Sequence, residues 1–180
     1  MRIVTNRLIL RDYEIDDWPA VLAYQSDKRY LQFYPWTERT EAEVRDFVQK
    51  LLDQQAEQPR RKFQFAITLP FDGRLIGSCG IRRKSENDWE ADIGYELAPE
   101  YWGQGYATEA AITLVDFGFR QLHLHRISSW CIAENTASAK VLERLGMCLE
   151  GRLRENDYFK GRWWDVLLYG LLESEWRPNP

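Results

Sequence analysis

At 180 residues, with 44% hydrophobic and 29% charged side chains, the chain has the composition of one globular domain. No apolar run approaches the roughly 18–20 residues of a membrane span, and a net charge of −4 with dispersed basic residues argues against a nucleic-acid surface. Met1 to Leu10 has neither a continuous apolar stretch nor a small-residue cleavage site, so no secretory signal is expected, and the expected location is the cytoplasm.

Taken in chain order, Arg7 to Asp12 reads as a first strand. Asp16 and Asp17 then offer a helix start, with Pro19 in the first turn and apolar Val21, Leu22 and Tyr24 behind them. A second helix is expected from about Thr40 to Gln55. Phe63, Phe65, Ile67 and Leu69 alternate with Gln64, Ala66 and Thr68, the period of a strand with one apolar face, and Asp72-Gly73 turns the chain back. The return strand, Leu75 to Arg83, contains Gly77 and Gly80, which mark close approaches to the backbone. In the next strand, Glu90 to Leu97, Asp92 and Glu96 share a face opposite Ile93, Tyr95 and Leu97.

Helical spacing follows from Thr108 to Phe119, with Ala107, Ala110, Ala111, Leu114, Val115 and Gly118 on one stripe, ending near Leu122. Arg126 to Cys131 reads as a strand, Asn135 as an N-cap, Thr136 to Leu145 as a helix and Gly146 as its stop. Cys148 to Tyr158 and Arg162 to Leu172 are the last strands. The fold class is α/β, a single domain over 1–180 with a core from about 7 to 176. The three cysteines, Cys79, Cys131 and Cys148, fall among apolar neighbours at non-motif spacings and are expected to be buried free thiols. His123 and His125 lack a second cluster, so no metal site is expected.

The segment from Leu97 to Ala110 carries the chemistry, because a strand end runs through a glycine-rich turn into a helix. Such junctions bind phosphates: glycines let the backbone approach, and the unpaired N–H groups of the first turn face outward at the positive end of the helix dipole. Gly103-x-Gly105 alone fits a plain tight turn equally well. A P-loop requires Lys-Ser or Lys-Thr where Tyr106 and Ala107 stand, and a dinucleotide fingerprint requires a small residue where Thr108 stands.

With Trp102-Gly103-Gln104-Gly105-Tyr106-Ala107-Thr108-Glu109-Ala110, the chain resembles the GNAT acetyltransferases, in particular the RimJ/RimL-like ribosomal-protein N-terminal acetyltransferase group. Trp102 departs from the Arg or Gln that opens the superfamily's loop pattern. Further similarity lies in Arg7-Leu8-Ile9-Leu10-Arg11, Ile93-Gly94-Tyr95, Asn135-x-x-Ser138, Leu145-Gly146-Met147, Glu150-Gly151 and Asp165 to Tyr169, in order along the chain. The resemblance implies a mixed, mostly antiparallel sheet of seven strands flanked by about four helices, with the fourth and fifth strands splayed. It also implies acetyl-CoA as cosubstrate.

By the same resemblance, the backbone of Glu96, Leu97 and Ala98 pairs with the pantetheine arm. Trp102, Gly103, Gln104, Gly105, Tyr106, Ala107 and Thr108 hold the pyrophosphate, and Asn135 and Ser138 lie near the thioester. Direct attack by a neutral amine calls for a proton acceptor and a donor to the leaving sulfur. Asp157 is favoured over Asp92 as the acceptor; the alternative for either is a surface carboxylate. Leu142 stands where many relatives have a tyrosine acid, which leaves Ser138 as the donor, unless its hydroxyl only bonds a carbonyl one turn earlier. Trp18, Tyr30, Phe33, Tyr34 and Trp36 are expected around the acceptor groove. The expected acceptor is a protein N-terminal amine, with a small amine such as an antibiotic or polyamine, or a non-catalytic acyl-CoA-binding module, as alternatives. Trp163, Trp164 and Tyr169 could serve either a homodimer surface or the core.

Overall fold

Alternation places the sheet. The computed structural model describes residues 1–83, 85 and 88–177. Its strands are β1 (Arg2–Val4), β2 (Ile9–Arg11), β3 (Lys62–Thr68), β4 (Leu75–Arg82), β5 (Glu90–Leu97), β6 (Arg126–Ile132), β7 (Cys148–Phe159) and β8 (Arg162–Leu172). They form one sheet in the order β1-β2-β3-β4-β5-β6-β8-β7, in which only β5 and β6 run parallel. The sheet thus has eight strands rather than seven. The addition is β1, three residues at the edge opposite β2, too short to leave a periodic signal.

Five α-helices flank it: α1 (Trp18–Gln25), α2 (Lys28–Leu31), α3 (Glu41–Ala56), α4 (Tyr106–Arg120) and α5 (Thr136–Arg144). The extra one is α2, a single turn capped by the Asp27 carboxylate, which accepts from the Arg29 N–H. The N-cap of α3 is Thr40, whose hydroxyl accepts from the Glu43 N–H while the Glu43 carboxylate accepts from the Thr40 N–H, a reciprocal capping box.

One face of the sheet packs on α4 and α5, the other on α1 and α3. Small residues let α4 lie close: a Cβ on Gly118 would come within 2.6 Å of Ile81 Cδ1 and 2.9 Å of Ile127 Cδ1. Leu114 and Val115 on the same stripe are fully buried, each worth roughly 1.5–3 kcal/mol of apolar burial. The close approaches expected at Gly77 and Gly80 are present. A Cβ on Gly77 would meet the Glu96 carbonyl at 2.2 Å, and one on Gly80 the Gln64 side chain at 1.9 Å.

Two readings of side-chain burial need correction. Cys79 and Cys131 are buried free thiols, but Cys148 is exposed, because it opens the outermost strand, β7. Trp164 and Tyr169 are buried within the chain, whereas Trp163 is exposed beside Tyr158. Among the described residues no helix is long and apolar enough to cross a membrane.

Candidate active site

The site begins where the sheet comes apart. β5 and β6 pair only over Glu90–Asp92 against Arg126–Ser128; beyond that the strands diverge, with the Ser129 hydroxyl on the Ile93 carbonyl as a last link. These are the fourth and fifth of the seven expected strands, and the splay stands where it was expected. Residues alternate sides, so Tyr95 and Leu97 turn toward α4 and α5 while Glu96 turns toward α1 and α2. The gap is a slot through the sheet with a different chemical wall on each side.

Below the slot, a cavity of about 380 Å³ runs from the α4 N-terminus to Ser138 and is lined by Leu97, Trp102, Gly103, Gly105, Tyr106, Ala107 and Thr108. Gly105, with φ +83°, is the N-cap of α4, and this left-handed conformation turns the chain so that the first-turn N–H groups face the cavity. Gly103, with φ +74°, makes the preceding turn. The Trp102 indole donates to the Leu97 carbonyl at 2.8 Å, tying the loop to the end of β5.

Arg7 braces the same loop from outside. Its guanidinium donates to the Gln104 carbonyl at 3.0 Å and to Glu109 at 2.7 Å, and lies over the Tyr106 ring. Glu109 also accepts from the Thr5 hydroxyl and the Arg7 N–H, and these bonds hold its carboxyl below the usual range against the opposing effect of burial. Lys140 and Arg144 line the cavity, as does Arg29, which is ion-paired with Asp27 and Glu100. The N–H groups at a helix N-terminus, the dipole end and the cations Lys140 and Arg144 are a donor set that suits a pyrophosphate-bearing ligand, so the residues fit acetyl-CoA.

At the inner end, the Asn135 side chain accepts from the Ser138 N–H at 3.1 Å, so Asn-x-x-Ser caps α5. The Ser138 hydroxyl lies 3.1 Å from the Tyr95 phenol, which donates to the Ser138 carbonyl at 2.9 Å. The serine hydroxyl therefore has a partner on β5 rather than the carbonyl one turn back. Burial raises the Tyr95 pKa and keeps the phenol protonated. Burial also pushes the neighbouring Cys131 thiol up to about 11, with its bond to Ser138 opposing the shift.

On the other side of the slot a groove of about 700 Å³ opens between α3 and the sheet. Tyr30, Tyr34 and Trp36 form its aromatic wall, stacked at 4.7 and 4.9 Å, with the Arg39 guanidinium over Trp36. Phe33 also lines it, while Trp18 lies outside, under the Arg45 guanidinium. Tyr95, Glu96, Asn135 and Ser138 line both cavities.

The two candidate carboxylates lie apart from this junction. Asp92 is ion-paired with Arg82 and lines a separate hollow of about 390 Å³ near His125 and Arg126. Asp157 stands opposite Trp164 in the β7–β8 hairpin, where Phe33 packs edge-on against Trp164, and it lines neither cavity. Its carboxylate accepts from the Asn156 amide at 2.7 Å. Sequence reasoning paired Glu96 with Asp92 as strand carboxylates but missed the tyrosine partners of Glu96, the Tyr95 hydroxyl and the Arg7–Glu109 brace; each acts through a partner more than 40 residues away. Among the described residues no group of three or more His, Cys, Asp or Glu is placed to hold a metal ion.

Comparison with known proteins agrees with this geometry. The family described as acetyltransferase (GNAT) domain matches residues 7–148. The chain is 35% identical over 176 residues to the uncharacterized N-acetyltransferase YnaD of Bacillus subtilis, covering 98% of this chain and 99% of that protein. It is 24% identical over 185 residues to the [ribosomal protein uS5]-alanine N-acetyltransferase of Escherichia coli, covering 99% and 94%. A GNAT-family acetyltransferase structure from Bacillus anthracis superposes with a TM-score of 0.85 at 33% identity, over 97% of this chain and 100% of that one.

Proposed function

The chain belongs to the acetyltransferase (GNAT) family and is an acetyl-CoA-dependent N-acetyltransferase, and on that premise we propose that its acceptor is the α-amine of a protein N-terminus. The observation that carries the reading is the slot: one cavity suited to a pyrophosphate and one open, aromatic-walled groove meet at Tyr95, Glu96, Asn135 and Ser138. A groove of about 700 Å³ has room for several residues of an extended chain. The similarity to an enzyme named as a [ribosomal protein uS5]-alanine N-acetyltransferase supports a protein acceptor.

Acetyl-CoA supplies an acetyl group already activated as a thioester. The protein's part is to hold, orient and manage protons. Gly103 to Thr108 and the α4 N-terminus hold the pyrophosphate, and the backbone of Glu96 to Ala98, which pairs with β4 and not with β6, receives the pantetheine. The Ser138 hydroxyl, kept in place by Tyr95, donates to the departing sulfur. Asp157, which lies apart from the junction, takes the proton of the amine by way of intervening water; an α-amine with a pKa of roughly 8 needs little help. Asp92, held by Arg82 and about 13 Å along the strand from Glu96, serves structure instead.

A polyamine is the second reading, favoured by three carboxylates, Glu43, Asp46 and Glu96, on one groove. Thiol release from acetyl-CoA, measured with alanine-initiated peptides, spermidine and aminoglycosides, separates the two. Peptide-dependent release, reduced roughly tenfold or more in Ser138→Ala with acetyl-CoA affinity unchanged, is the expected result. Release with spermidine alone moves the function to small amines. No release with any of these amines, while acetyl-CoA still binds, favours a binding module.

A further inference from the structure

Among the described residues Glu96 is the one carboxylate that lines both cavities, and its surroundings are unusual for a charged group. Its Oε1 accepts from the Tyr24 hydroxyl at 2.6 Å and from the Gln25 amide at 3.2 Å, and its Oε2 accepts from the Tyr30 hydroxyl. All three donors are neutral. Burial, and then the charge of Glu96 itself, raise the pKa values of Tyr24 and Tyr30, so both phenols stay protonated.

Among the described residues Glu96 forms no ion pair. The nearby Arg82 is turned to Asp92, and Arg39 to Gln25 and the Trp36 ring. A carboxylate withdrawn from water is costly unless a cation balances it, and tying α1 and α2 to β5 does not require a charge, since a neutral amide can accept from Tyr24 and Gln25 through its oxygen and donate to the Tyr30 hydroxyl through its NH2. Part of Glu96 remains accessible, and that part faces the cavities. The stacked rings of Tyr30, Tyr34 and Trp36 alongside are a second feature that favours a cation.

We propose that the Glu96 carboxylate is the anchor for the acceptor's amine: it accepts a hydrogen bond from the amine nitrogen and fixes it at the slot, beside Ser138, with Tyr24 and Tyr30 as positioning residues. The assignment rests on the amine-acetylating reading above and names the group of this chain that selects a basic nitrogen over a neutral nucleophile. It is distinct from the backbone role of Glu96 toward the pantetheine.

Glu96→Gln keeps the side-chain shape and a hydrogen bond for each tyrosine while removing the charge, its oxygen accepting from Tyr24 and its NH2 donating to the Tyr30 oxygen, and thermal melting is the control for the fold. Two measurements test the anchor. Butylammonium is titrated into the full chain saturated with CoA and followed by NMR shifts at the groove. The wild type is expected to bind it and Glu96→Gln to bind roughly tenfold more weakly or not at all, the difference between a charge-assisted and a neutral hydrogen bond. For whichever of an alanine-initiated hexapeptide or spermidine the wild type acetylates, the amine KM should rise by about the same factor and by clearly more than the acetyl-CoA KM.

Equal butylammonium binding by both proteins, or no binding by the wild type, overturns the anchor whether or not acetylation is observed. An acetyl-CoA KM that rises in step with the amine KM also overturns it and assigns Glu96 to structure alone. Failure of the amine-acetylating reading looks different: neither acceptor is acetylated, and the butylammonium titration still decides Glu96.

Discussion

Gly77→Ala is expected to lower the melting temperature by about 4–12 °C, the effect of roughly 2–3 kcal/mol of overpacking in a domain of this size. The added Cβ would sit 2.2 Å from the Glu96 carbonyl oxygen and 2.9 Å from Leu97 Cα. Neither neighbour is the free end of a side chain, so the clash can be relieved only by moving backbone. Gly77 pairs with Leu97 in the β4–β5 ladder, and β5 is also one wall of the slot. The same substitution should therefore weaken acetyl-CoA binding, because the backbone from Glu96 to Ala98 shifts as a unit. Differential scanning calorimetry and an acetyl-CoA titration on the same protein check both effects. An unchanged melting temperature would show that the β4–β5 spacing is slack.

Gly105→Val should weaken acetyl-CoA binding by roughly 10- to 100-fold while leaving the melting temperature nearly unchanged. At φ +83° Gly105 holds a conformation that a β-branched residue adopts at a cost of about 1–3 kcal/mol, and that strain converts to the stated range of affinity if the loop relaxes to avoid it. Relaxation re-aims the first-turn N–H groups of α4, the donors for the pyrophosphate. Nearby bulk matters less, since the only atom a Cβ there would meet is the end of the flexible Arg7 side chain, at 3.3 Å. Calorimetric titration with CoA measures the effect directly. A Gly105→Val protein that binds CoA like the wild type would place the pyrophosphate elsewhere.

Much of the architecture was legible because local pattern and tertiary burial agree. Phe63, Phe65 and Ile67 alternate and are buried; the stripe from Ala107 to Gly118 has helical period and packs on the sheet; Thr40 and Asn135 cap the helices they introduce. The strand Arg2–Val4 was not legible, since three residues at an edge carry no period. The turn from Lys28 to Leu31 was missed for the same reason.

The site divides in the same way. The anion loop is contiguous, so Trp102 to Thr108 could be read as a unit. The groups around the reacting atoms are assembled across the fold: Tyr24 and Tyr30 reach Glu96 across 72 and 66 positions, and Tyr95 reaches Ser138 across 43. Strand periodicity put Asp92 and Glu96 on one face but could not reveal that Arg82 takes the first and two tyrosines the second. That distinction exists only once α1 and α2 are laid against β5.

The central claim is that the slot between β5 and β6 is where acetyl-CoA and the acceptor meet. A crystal structure of the protein with bound CoA tests it most directly. The expected density has the pyrophosphate on the N–H groups of Gly103 to Thr108, the pantetheine along Glu96 to Ala98, and the thiol in the slot beside Ser138 and Tyr95. CoA bound with its thiol outside the slot, or its pyrophosphate away from the α4 N-terminus, would contradict the account.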